Sequence, residues 1–406
     1  MAHPVARYWN PTNLLAIWRG VRDSNYRKIL APFFPYKRTV DDKVRTIKGY
    51  KNTNVILNLC DPDAKRTIRG ARKLSFQDYE IPEFSEGILI YASELREISR
   101  FIDQYGHLPE SLDCLDQKYI DYLELMNGVG TNAEYFRAEL LQYGKFQFRN
   151  RTDDGTFGMI QADFDADKEW SNHNVYQAQA DWEDPADDIL GDVDNLIEMF
   201  ALQNDVQNDG KINGLMIMNS VTWNRMKQSE KLQEWLWNMR RTDPMDYFSN
   251  KGLSLLIDNQ GYQNQLGGEH VSQTKFFRDG NVCLIPNMRL GNIICSESDL
   301  FRGMMRNQAK RPDVDYDDQT GTVVRTVEQT DPDKIKTTIE AHIFPAFDKG
   351  MFERCCVLHP THKDTRIDNT PILKVNGDVQ VTADTVKVNG DVQVTADTVN
   401  VTQNEP

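Results

Sequence analysis

Between Asp181 and Trp237 the apolar positions follow two different rhythms. Ile189, Leu190, Val193, Leu196, Ile197 and Phe200 recur at helical spacing and predict one amphipathic helix. Asp184 marks its start as a cap, with Pro185, Asp187 and Asp188 in the first turn, where proline needs no donor and carboxylates suit the positive helix end. After a polar turn ending at Gly210, the unbroken run Gly214–Met218 predicts a buried strand. Ser220 then predicts the cap of a second helix that turns Trp223 and Met226 inward. Helix, buried strand and helix make the core of an α/β layer, and the rest of the chain reads as long attachments reaching outwards from it.

Residues 1–50 mix Tyr8, Trp9, Trp18, Phe33, Phe34 and Tyr36 with arginines and prolines. Asn13–Arg22 predicts a short helix; the remainder predicts an extended arm that needs another surface to lie on. Val55–Leu59 and Gly87–Tyr91 read as strands flanking some two dozen polar residues, with Lys65, Arg66, Arg69, Arg72 and Lys73 near the tip. That pattern predicts a projecting hairpin, and an excursion of such length normally binds something; an ordinary surface loop is the plainer alternative. Leu108–Tyr143 is helical in pattern, with Ile120, Leu123 and Leu125 and then Tyr135, Phe136, Leu140 and Leu141. The glycines of Asn127–Thr131 predict a kink or break in it. Gly128–Ala133 spells G-x-G-x-x-A, but it follows a helical stretch, whereas the dinucleotide turn needs a strand before it. Further strands are predicted at Leu253–Ile257, Val282–Ile285, Ile293–Cys295, Thr337–Phe344 and Cys356–Leu358, and the polar stretch 307–335 holds an alternation over Val323–Val327. In the tail, Lys374–Val386 recurs unchanged as Lys387–Val399, and Asn376-Gly377 and Asn389-Gly390 are hairpin signals. A β-rich extension is expected there, against a weakly ordered appendage.

With 406 residues, 39% of them hydrophobic, the chain can bury one large core or two medium ones. The opening MAHPVARYWN has no apolar run, and no stretch approaches a membrane span, so a soluble chain made in the cytoplasm is expected. Six cysteines without a spacing framework suit a reducing compartment. Cys355, Cys356, His359 and His362 bunch possible zinc ligands, but closing a tetrahedron from one such segment is cramped, and buried thiols at a strand end are preferred. Asp163, Asp165 and Asp167 begin like a calcium loop, yet Lys168 and Asn174 stand where glycine and glutamate belong; Asp313, Asp315 and Asp317 fail likewise.

The net charge of −14 is unevenly spread. Residues 1–50 carry ten Lys/Arg against three Asp, a net +7, while residues 153–209 hold sixteen Asp/Glu against Lys168 alone, a net −15. In a chain that associates with itself, such regions are complementary. A mainly acidic protein is a poor non-specific DNA binder, because phosphate repels it. No G-x-S-x-G, H-E-x-x-H or Walker loop is present and the seven histidines are scattered, so neither an enzyme nor a cofactor is expected. An α/β enzyme without a recognisable motif is one alternative, and an adhesin suggested by the repeats is another, opposed by the missing signal and the α/β body.

The order of these pieces resembles the lambda-like major capsid protein E family of tailed bacteriophages. The matching stretches are Leu140–Phe146 closing the long helix, Asp184–Ile189 opening the next, Gly214–Trp223 as central strand and following helix, Ile285–Asn292, and Glu340–Phe352. The resemblance covers roughly residues 10–360 and departs from the family at Gly128/Gly130 and beyond His359. It implies an α+β chain of the Hong Kong 97-type capsid fold: N-arm over 1–54, E-loop over 55–92, P domain with spine helix over 93–184, A domain over 185–345, and a C-terminal segment over 346–406. It also implies hexamers and pentamers in an icosahedral head enclosing double-stranded DNA, scaffolding, portal and decoration partners, and a place in the virion after assembly in the host cytoplasm. A cellular nanocompartment shell of the same fold is the nearer alternative. On that reading the Lys65, Arg66, Arg69, Arg72 and Lys73 cluster docks on an acidic surface of an adjacent copy, with Asp163, Asp165, Asp167, Asp187 and Asp188 as the candidate acceptors.

Overall fold

The computed structural model describes residues 9–359 except 26–27, 49–74, 92, 95, 97–99, 101–112, 152–156, 180–181, 205–211, 263–264, 267–268, 271–273, 298–312 and 331–332, together with four strands between 374 and 393. From the N-terminus the elements are α1 (Pro11–Asn25), β1 (Tyr36–Thr39), β2 (Lys43–Lys48), β3 (Ser75–Glu80), β4 (Glu83–Ile90) and the long α2 (Asp113–Tyr143). The hairpin β5 (Lys145–Arg151) and β6 (Phe157–Asp163), α3 (Glu169–Asn174) and β7 (Val175–Gln177) come after it. Next are α4 (Ile189–Asn204), β8 (Gly214–Met218), α5 (Ser220–Gln228), α6 (Glu230–Asn238), α7 (Met245–Asn250) and β9 (Leu253–Ile257). Four two-residue strands, β10 (Gly261–Tyr262), β11 (Gln265–Leu266), β12 (Glu269–His270) and β13 (Thr274–Lys275), lead to β14 (Val282–Pro286) and β15 (Gly291–Ser296). The body ends with β16 (Val314–Tyr316), β17 (Val323–Thr330), β18 (Asp333–Phe347) and β19 (Cys356–His359), before β20 (Lys374–Asn376), β21 (Val379–Thr382), β22 (Thr385–Val388) and β23 (Asp391–Gln393).

Two sheets organise the body. In the first, β18 pairs with β17, β15 and β4, while β1 joins β15 in parallel and β16 joins β17. The second runs β7-β19-β14-β8-β9. Both of its faces are covered, which is why β8 and β14 are apolar without alternation. Leu215, Ile217, Cys283, Ile285 and Val357 point into the core shared with α2 and the first sheet. Met216, Met218, Val282, Leu284, Cys356 and Leu358 point into a second core under α4, α5 and α6. One wall therefore serves two cores, each filled by alternate residues of the same strands.

α2 runs through Gly128 and Gly130 as one continuous helix, so the glycines do not break it. Tyr122, Met126, Val129, Ala133, Phe136 and Leu140 form one buried stripe at three- and four-residue steps, and packing that whole stripe outweighs roughly 1 kcal/mol of helix propensity lost per glycine. A continuous helix also has no place for the strand-to-helix phosphate turn. Gly144 ends α2 with φ +67°, its N–H donating to the Leu140 carbonyl. Beside it, buried Gln142 donates to the Ala138 and Phe276 carbonyls and accepts from Arg278 N–H and Asn281 Nδ2, bolting the helix end to the loop before β14.

The N-terminal segment does not wait for a neighbour. Trp9 is buried, with its indole N–H on Thr337 Oγ1 at 2.7 Å, and Leu14, Leu15 and Trp18 are the buried face of α1. A buried pair on α2 fixes the segment between α1 and β1. Glu134 Oε1 accepts the Leu30 N–H at 2.7 Å, Glu134 Oε2 accepts from Arg137 at 2.7 Å, and Arg137 donates to the Phe34 carbonyl at 2.7 Å. Residues 9–19 and 28–39 are thus part of their own subunit's body, a correction to the extended arm.

Other boundaries shift for local reasons. α4 begins at Ile189, not at Pro185: Asp188 Oδ1 accepts the Gly191 N–H, while Asp184 stabilises the preceding turn through the Ala186 N–H. Asn219, not Ser220, caps α5, taking both the N–H and the hydroxyl of Thr222. In the tail β21 pairs with β22 and β20 with β23, so neither Asn-Gly pair lies between two strands that pair with each other. Among the described residues no helix is long and apolar enough to cross a membrane.

Near the C-terminal end of α2, burial raises the Glu139 carboxyl from 4.5 to about 7, against the opposing pull of Arg278 at 3.7 Å. A raised carboxyl binds its proton more tightly in the folded chain than in the unfolded one. Its contribution is therefore most favourable below pH 4.5 and is lost as pH rises through about 7. Glu139→Gln is expected to flatten the fall of stability over that window, read as urea midpoints at pH values spanning it. An unchanged slope would assign the fall to another group.

Candidate assembly surfaces

The excursion rises from a stem other than the one expected. Lys43–Lys48 pairs in register with Ser75–Glu80, whereas Gly87–Ile90 belongs to β4 and pairs with β18. Val55–Leu59 and the basic cluster Lys65, Arg66, Arg69, Arg72 and Lys73 lie outside the described residues. One face of the stem is anchored. Val44 and Thr46 are buried, and Tyr79 stacks on Phe164 and Phe344 at 5.2 and 5.4 Å while its hydroxyl donates to the Asp163 carbonyl at 2.6 Å. Desolvation pushes the Tyr79 phenol up to about 12, with Asp163 and Asp167 adding to the shift. The other face carries cross-strand charge pairs, Arg45 on Asp78 by two bonds of 2.7 and 2.8 Å and Lys43 on Glu80 at 3.2 Å. The root of the excursion is therefore rigid, and its outer face is polar.

The five acidic candidates fall at two helix starts. Asp163 Oδ1 accepts the Asp165 N–H; buried Asp165 spends one oxygen on the Trp170 N–H and the other on the Ser171 N–H; Asp167 accepts from Glu169. This capping turn holds no calcium-loop arrangement. Asp188 caps α4 and pairs with Lys231, and Asp187 precedes it in the same turn. Asp165 and Asp188 each have both oxygens engaged within the chain; Asp167, which holds the Glu169 N–H, is exposed, and Asp187 is half-exposed. Asp317, from the other acidic run, closes its own turn on Gln319 and Thr320. Cys355 and Cys356 are buried thiols and His359 faces the Gln142 carbonyl at 2.8 Å, while His362 lies outside the described residues.

Sequence reasoning missed Asp192, a buried carboxylate on α4 that accepts from Tyr176 Oη, Gln179 N–H and Trp182 Nε1 and so ties residues 176–182 to the helix. Its position on the apolar side of the 189–200 helix was the available signal. It also missed the Glu134–Arg137 pair, legible only as an i,i+3 pair of opposite charges on a helix. Trp237 in the last turn of α6, Met239 just after it and Met245 at the start of α7 stand exposed.

No protein-family model matches the sequence, and no curated protein matches it either. Solved structures do resemble it. The chain aligns with a protein described as the capsid protein of an E. coli CFT073 prophage at a TM-score of 0.50 and 13% identity, over 86% of this chain and 99% of that one. A phage-related protein from Bordetella bronchiseptica RB50 aligns at 0.48 and 10% identity, over 86% and 96%. The capsid subunit of cyanophage A-1(L) aligns at 0.47 and 10%, over 84% and 95%. At 13% identity the likeness to the prophage protein is one of fold: a long helix along an antiparallel sheet, a two-stranded hairpin stem and a helix-covered second sheet make up the Hong Kong 97-type capsid fold.

Proposed function

We propose that this chain is the major capsid protein of a tailed bacteriophage, a structural subunit without catalytic activity. The observation that carries the reading is the alignment with the prophage capsid protein over nearly all of that chain. In this reading residues 93–184 are the P domain with α2 as spine, 185–345 chiefly the A domain, and the excursion above β2 and β3 is the E-loop. The loop reaches an adjacent copy, and hexamers and pentamers close an icosahedral head around double-stranded DNA, with scaffolding, portal and decoration proteins as partners. Assembly takes place in the host cytoplasm and the product is the virion shell. The relevant chemistry is repeated contact between different patches of identical subunits, closed by symmetry.

Within this proposal, Arg66, Arg69, Arg72 and Lys73 meet acidic groups of the neighbour, and Asp167 and Asp187 suit that role better than Asp165 or Asp188. Reversing the four charges to glutamate is expected to abolish closed particles in negative stain while leaving the circular-dichroism spectrum of the subunit unchanged. Normal particles from that variant would discard the docking. A wild-type chain that sediments as a compact monomer at every concentration would discard the shell itself. Particles that never package DNA during infection would favour a cellular nanocompartment.

A further inference from the structure

We infer that Glu83, Glu340 and His342 form a binding site for a divalent transition-metal ion of the zinc type. In the antiparallel register of β4 and β18, His342 stands directly opposite Glu83, so both side chains leave the same face of the sheet. Glu340 lies two residues along β18 and shares that face. Their ligand atoms, one imidazole nitrogen and two carboxylate oxygens, all lie within 4.8 Å of one another. One nitrogen with two oxygens matches zinc and its neighbours, whereas calcium and magnesium take oxygen alone. Three protein ligands leave a fourth position for water, and Glu83 is exposed while the other two are half-buried, so the site is open to solvent.

The backbone behind these ligands is held from both sides. His342 is registered with Glu83 on one neighbour and with Ser296 of β15 on the other, which places the imidazole on a central strand and not on a loop. The charge balance also favours a cation. Among the described residues Glu340 has His342 as its ion-pair partner, at 3.0 Å, and Glu83 has no ion pair. Two carboxylates converging on one imidazole repel each other unless a positive charge sits between them. A metal ion would replace the His342–Glu340 contact by joint ligation of both groups. It would also tie β4 to β18 just after Ile81 and Pro82, the link from the stem of the excursion, and so fix the root of the hairpin.

This inference stands apart from the shell reading and is tested separately. Full-length protein without an affinity tag is stripped with a chelator and titrated with zinc against a coloured competitor, with metal content measured after dialysis. One zinc per chain is expected, and His342→Ala and Glu83→Gln are each expected to weaken binding by at least about tenfold. Glu83 is exposed, so Glu83→Gln should keep the parent melting curve in chelator, which separates lost ligation from misfolding. Substoichiometric zinc in the parent chain would overturn the proposal. So would binding that both variants retain, since the ion would then sit on other histidines or thiols.

Discussion

Replacing Arg137 with alanine is expected to lower the stability of the folded chain by about 3–5 kcal/mol, the range for breaking one side of a buried ion pair. Glu134 is fully buried, and without the guanidinium it keeps the Leu30 N–H as a hydrogen-bond donor and the field of Lys28 as its compensation. The Phe34 carbonyl loses its donor at the same time, and Tyr36 loses the cation over its ring at 5.4 Å. The effect should appear as a lowered urea midpoint at unchanged slope. The paired change Glu134→Leu with Arg137→Met is expected to be milder than the sum of the single changes, because apolar replacement of a buried pair removes its desolvation cost. It should still leave about 1–3 kcal/mol of loss, since Leu30 N–H and Phe34 C=O stay unpaired. A single-variant loss under about 1 kcal/mol, typical of exposed pairs, would mean that water reaches the pair.

That clamp also marks the limit of what the sequence discloses. Amphipathic period and unbroken apolar runs are local signals, and they located α4, β8, β9, β14, β15, β18 and β19 to within a few residues. Caps slipped by one to four positions because Asp184 and Asp188, or Asn219 and Ser220, all carry capping side chains and only tertiary geometry chooses between them. The stem was misplaced for a different cause. Among the described side chains of Lys43–Lys48 the buried ones are Val44 and Thr46, set between charged neighbours, a weak pattern, whereas Gly87–Ile90 is strongly apolar because it belongs to β4 on the first sheet. The aromatic N-terminal segment has no sustained period of its own; its order comes from Glu134, Arg137, Thr337 and Asn127, all far away in the chain. Charge asymmetry is equally blind to local bonding. A run of aspartates reads as an open surface, but Asp165, Asp188 and Asp192 each spend their oxygens on backbone or side-chain donors nearby.

Gly291→Ala is expected to be the most damaging single-methyl addition in the body. Gly291 opens β15 opposite Phe347, and its N–H donates to the Phe33 carbonyl. A Cβ there would stand 2.1 Å from the Ala346 carbonyl oxygen and 2.8 Å from Phe347 Cα. These are backbone atoms of β18, so no rotamer change relieves the overlap; β15 and β18 must separate, and β1, paired to β15, must move with them. The loss should exceed the roughly 1–3 kcal/mol of ordinary overpacking and show as insoluble or low-melting protein. Gly128→Ala is the matched control. Nothing lies within 4 Å of a Cβ at Gly128, which sits inside α2, so the same added methyl should stabilise by about 0.5–1 kcal/mol. Both substitutions add one methyl, at Gly291 against a neighbouring backbone and at Gly128 into open space on a helix. Equal melting temperatures for the pair would mean that β15 and β18 do not approach as closely in solution as their register requires.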